Sequence, residues 1–133
     1  MREFGEAPSL EEIEAIAIEE LSRIPPELRR HCQSLGILVE EFPPDHVLAE
    51  LEIESSFELT GLYQGIPLTE RGTSDVRHSP DLVTLYRRPL LDEWCEDRHD
   101  LRHLVRHVLI HEIGHHFGFS DRDMERIEAM MEE

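Results

Sequence analysis

The residues best equipped for chemistry stand together in one string, HEIGHHFGFSD, at positions 111–121. His111 and His115 are four residues apart, so on a helix they share a face with Cβ atoms about 5–6 Å from each other. Two imidazoles in that relation converge on one tetrahedral cation, at metal–nitrogen distances of about 2.0–2.1 Å. Glu112 lies on the flank of the same face, where its carboxylate reaches a metal-activated water without ligating the ion. A third ligand must come from beyond the helix. Gly118 can adopt φ > 0 and turn the chain sharply, and Asp121, soon after it, offers a carboxylate suited to Zn²⁺. The pattern H-E-x-x-H-x-x-G-x-x-D therefore predicts His111, His115 and Asp121 as metal ligands. Glu112 is then the general base of a hydrolytic reaction. His116, Glu125 and Glu128 are rival ligands. His116 points about 100° away from His115, and the tail after His115 is short for a glutamate supplied by a following helix.

These groups need a helix to carry them, and hydrophobic spacing predicts one from about Asp97 to Phe117, stopped by Gly118. His111, Glu112 and His115 fall on the side that also bears Leu104 and Val108. Ile110, Ile113 and Phe117 occupy much of the other side, so the second half of this helix is expected to be enclosed nearly all round. Its first half carries a polar face of His99, Arg102, His103, Arg106 and His107. The histidines at 99, 103, 107 and 111 form a four-residue ladder that drifts about 40° per step. They read as a solvated face, with His107 beside His111. Ser120 and Asp123 cap a last short helix, whose Met124, Ile127 and Met131 read as core.

Upstream, Ser9 and Glu12 form a capping-box pattern ahead of Leu10, Ile13, Ile16, Ala17 and Leu21, with glutamates on the opposite face. Pro25-Pro26 ends that helix, and Glu27 to Gln33 reads as a short second one. Ile37-Leu38-Val39 reads as a buried strand and Phe57 to Tyr63 as extended; His46 to Glu50 is ambiguous. Leu82 to Tyr86 is the clearest strand, closed by Pro89, with a short helix over Leu90 to Cys95. Trp94 is core or a partly exposed anchor.

The chain has 133 residues, the length of one domain, 1–133. Its 30 acidic residues face 13 basic ones, all arginine, for a formal charge of -17. That field repels phosphate backbones and anionic lipid, so neither nucleic acid nor membrane is an expected partner. No apolar run reaches the roughly 18 residues of a spanning helix. MREFGEAPSLEE lacks the apolar core of a signal peptide, and a cytoplasmic location is expected. Cys32 and Cys95 are expected to be free and half-buried. The oligomeric state is not fixed by these features.

HEIGHHFGFSD, the upstream GLYQGIPLTERG (Gly61–Gly72) and LYRRPLL (85–91) together resemble the zincin metallopeptidases. The resemblance is strongest to the short bacterial zincin-like family of possible zinc metallopeptidases. The three segments lie in order over roughly the C-terminal two thirds of the chain. The resemblance implies an α+β fold, a minimal zincin-like arrangement in which a small mixed sheet packs against the N-terminal helix and the active-site helix. It also implies one Zn²⁺ per chain and a site acting on peptide or protein substrates. Metzincins usually carry histidine where this chain has Asp121, which sets it apart from metzincin-like substrates. The resemblance further suggests that an edge strand binds the peptide by strand addition, from Gly61–Leu68 or Leu82–Tyr86. Tyr63, Arg71, His78 and Tyr86 are candidates for stabilising the oxyanion. Two other functions compete. One is a metal-dependent hydrolase of a non-peptide substrate. Its RNA-cleaving form would need histidine after Asp121, where this chain has Arg122. The other is a non-catalytic zinc-containing partner-binding module, whose metal would be closed by four protein ligands.

Overall fold

The computed structural model describes residues 6–65, 81–97 and 100–132. Its first helix, α1 (Leu10–Arg23), starts at the expected capping box. Ser9 Oγ accepts from the Glu12 N–H at 3.1 Å, and Glu12 Oε1 accepts from the Ser9 N–H at 2.8 Å. A single turn, α2 (Pro26–Arg29), follows the proline pair, then strand β1 (Gly36–Glu40). Helix α3 (Asp45–Glu50) resolves the ambiguous stretch, and a 3-10 turn at Ser56–Glu58 precedes strand β2 (Gly61–Gln64). The expected extended segment thus forms a strand only from Gly61 onward, because Ser55 caps the turn through the Phe57 N–H.

Strand β3 (Leu82–Tyr86) leads directly into α4 (Arg87–Asp97), α5 (Leu101–His116) and α6 (Asp121–Met131). Pro89 sits within the first turn of α4, where its missing N–H leaves no intrahelical bond unmade. The strand therefore ends at Tyr86, before the proline. Asp100 caps α5 by accepting from the Arg102 N–H at 3.2 Å, which sets the helix start at Leu101, later than Asp97.

The sheet order is β1-β3-β2. β1 runs parallel to β3, with Leu38 opposite Thr84, and β2 runs antiparallel to it, with Leu62 also opposite Thr84. A mixed three-stranded sheet covered by helices is the α+β arrangement expected. The central strand is buried from Val83 to Tyr86, which suits its β-branched and aromatic content. β1 is an edge of the described sheet and only half-buried, with Leu38 exposed, so the expectation of a buried strand there is corrected. α1 packs against α5 and β1, and α5 packs against β2 and β3. Leu85, Leu109, Ile110, Ile113 and Met124 are fully buried between them. Ile127 and Met131 join Met124 in the core, as their spacing predicts. Trp94 packs against this core while partly exposed.

Glu20 departs from the amphipathic pattern. It belongs to the run of glutamates assigned to solvent, yet it is fully buried. Arg106 donates to it at 2.8 Å, Arg102 at 2.9 Å and Arg23 at 3.0 Å. Arg106 is itself buried, so the first half of α5 is not wholly a solvated polar face. Burial alone raises the Glu20 carboxyl. Hydrogen bonds from Arg102 and Arg106, with the charges of Arg106 and Arg23, outweigh that and hold it below the ordinary carboxylate range. Among the described residues no helix is long and apolar enough to cross a membrane.

Candidate metal centre

The site forms where α5 ends and α6 folds back along it. Gly118 takes φ +82°, the left-handed conformation the turn needs. Around it the Gly118 N–H donates to the His115 carbonyl at 3.2 Å and the Phe119 N–H to the Gly114 carbonyl at 2.8 Å. These bonds satisfy carbonyls at the helix end. Ser120 then starts α6 with a capping box, accepting from the Asp123 N–H at 3.1 Å. Gly114 lets the two helices approach closely: a Cβ there would overlap the Met124 side chain, with Cγ at 2.8 Å.

This fold-back brings the three predicted ligands together. Donor atoms of His111, His115 and Asp121 all lie within 4.8 Å of one another. His115 Nε2 and Asp121 Oδ1 are 3.4 Å apart. Two imidazole nitrogens and one carboxylate oxygen are a donor set that fits Zn²⁺. The surroundings differ from expectation. The side chains of His115 and Asp121 are 58% and 82% exposed, so the end of α5 is open to solvent and not enclosed all round. Ile110 and Ile113 do bury their side of the helix, but α6 leaves from the Gly118 turn along one flank only.

The spacing argument set Glu128 aside as a rival ligand, because the tail after His115 is short. The two oxygens of Glu128 meet His111 Nε2 at 3.0 Å and His107 Nδ1 at 2.9 Å, and its side chain is only 12% exposed. One step further, His103 Nδ1 lies 3.2 Å from Glu132 Oε2. The histidine ladder of α5 therefore faces carboxylates of α6 and is not simply solvated. The signal was present: Asp121, Glu128 and Glu132 are seven and four residues apart, on one face of the last helix. Its meaning depended on α6 running back antiparallel to α5.

Glu112 is half-buried, and its Oε1 accepts the Tyr63 backbone N–H of β2 at 3.2 Å. Burial pushes its carboxyl above the ordinary range, partly offset by that N–H and by the charge of His115. The Tyr63 phenol donates to Asp81 Oδ2 at 2.7 Å. Its ring stacks on His116 with centroids 3.9 Å apart, so His116 is turned to β2 and belongs to neither donor group.

Of the oxyanion candidates, Tyr86 is only 2% exposed and belongs to the core, which removes it. Arg71 and His78, like His99, lie outside the described residues. Leu82–Tyr86 is the central strand and has no open edge, whereas β2 is an edge of the described sheet beside α5.

Comparison with known proteins gives a family. A family model described as zincin-like metallopeptidase matches residues 32–131, an interval that contains the sheet, both donor groups and Glu112. No curated protein matches the chain.

Proposed function

Because the chain belongs to the zincin-like metallopeptidase family, we propose that it is a zinc-dependent peptidase with Glu112 as general base and His111, His115 and Asp121 as metal ligands. The observation that carries this reading is the convergence of those three donor sets within 4.8 Å, beside a half-buried carboxylate. When bound, zinc supplies the Lewis acidity that polarises a peptide carbonyl and acidifies water.

The protein's own residues do the rest. Two neutral imidazoles and the Asp121 carboxylate hold the cation at the helix end. Glu112 takes the proton of the attacking water and returns it to the leaving amine. In the described sheet β2 is an edge strand, which offers backbone donors and acceptors to a peptide. In this reading the chain acts as one domain, 1–133, on peptide or protein substrates in the cytoplasm. The net charge of -17 disfavours nucleic acid and anionic membrane as partners.

A non-catalytic zinc module would need a fourth protein donor at the ion; Glu128 stands 3.0 Å from His111 Nε2 but groups with His107, not with His115 and Asp121. The decisive comparison is wild type against Glu112→Gln on a peptide library, with zinc content measured in both. Glu112→Gln is expected to keep its zinc and lose about 10²–10⁴-fold in turnover, while His115→Ala is expected to lose turnover because the ion is no longer held beside Glu112. Equal turnover by Glu112→Gln and wild type sinks the assignment of the base.

A further inference from the structure

The two donor groups at the helix pair are not independent. His111 belongs to both, with His115 and Asp121 on one side and His107 and Glu128 on the other. The second group is the more sheltered, since Glu128 is nearly enclosed where Asp121 is largely exposed. The Glu128 carboxylate meets two imidazoles, His107 and His111, at 2.9 and 3.0 Å. A carboxylate taken out of water gains from a cation placed beside it. Two imidazole nitrogens and a carboxylate oxygen form a donor set of the zinc class, not the all-oxygen set of calcium or magnesium.

We propose that His107, His111 and Glu128 form a second seat for a divalent cation of the zinc class, one helical turn from the first and sharing His111 with it. A neutral imidazole has one lone pair available to a metal. Ligation by the His111 nitrogen that faces Glu128 therefore serves one ion at a time, and the chain holds a single cation in either seat. In the second seat the ion is ligated by neither His115 nor Asp121. The inference takes its first seat from the proposed peptidase reading, but it concerns metal affinity and not turnover.

The test is Zn²⁺ titration of the full chain in competition with a chromophoric chelator, with Co²⁺ absorption reporting the ligand set. Wild type is expected to take one ion. Asp121→Asn is expected to keep one ion per chain with about tenfold weaker binding, because the second seat remains. Adding Glu128→Gln to Asp121→Asn is expected to cost about a further 100-fold, and adding His107→Gln likewise to cost at least tenfold. Glu128→Gln preserves side-chain shape, and His107 is partly exposed, so the two additions are independent probes of one seat. The proposal is overturned if Asp121→Asn binds no zinc, if neither addition weakens it further, or if wild type takes two ions. A wild type that binds one zinc yet cleaves nothing sinks the peptidase reading and leaves this one standing.

Discussion

Cys32 and Cys95 are both free, but they differ in environment. Burial pushes the Cys32 thiol up to about 11, against a smaller lowering by Arg29, and its Sγ donates to the Leu28 carbonyl at 3.7 Å. Cys95 is exposed. Since the thiolate is the reactive form, iodoacetamide near neutral pH is expected to modify one thiol per chain rapidly, and Cys95→Ser to abolish that phase. Comparable rates at both positions would contradict the difference in burial. The same scale shows what could be read in advance. His111, Glu112 and His115 were legible because their relation is fixed by one helix, and Asp121 because Gly118 announces the turn. Glu128 was legible only as a rival ligand, since its partners are set by the packing of one helix on another.

Among the elements, the joint between α5 and α6 is the most constrained. Gly114 lies inside the helix, where alanine would ordinarily favour it. Here a Cβ would collide with Met124, which is fully buried in the core. Overpacking outweighs helix propensity, so Gly114→Ala is expected to destabilise by about 1–3 kcal/mol, read as a lower urea midpoint. It should also weaken metal binding by separating Asp121 from His115. A midpoint equal to or above wild type would show that the joint relaxes freely. Helix starts at Ser9 and Ser120 were legible because capping is local. The burial of β1 was misjudged because an edge position follows from strand order, which no local pattern encodes. Tyr86 was misassigned for a related reason: its strand is central, and its ring is sealed in the core.

Across the whole molecule, charge sets two expectations. With 30 acidic residues against 13 arginines, net repulsion opposes the compact state. Exposed pairs such as Arg126–Glu27, at 2.8 Å, contribute little that salt can remove. The melting temperature is therefore expected to rise between about 10 mM and about 150 mM NaCl, as the screening length falls from about 30 to about 8 Å; a fall would mean that attractive pairs dominate. Buried Glu20 joins α1 to α5 through Arg102 and Arg106. Its carboxyl is held below the unfolded value of about 4.3, so its stabilisation is complete above that pH and is lost as pH falls through the lower native value. Glu20→Gln should cost about 3–5 kcal/mol at neutral pH, and urea unfolding should show the gap to wild type narrowing below about pH 4. A gap independent of pH would exclude the ion cluster as its source. The Tyr63 N–H of the sheet donates to Glu112 near the helix end, at 3.2 Å. A guest backbone that pairs through that N–H must evict the carboxylate from it. Arrival of the guest and release of the acid group are then a single exchange, and a ligand bound elsewhere leaves the acid tethered.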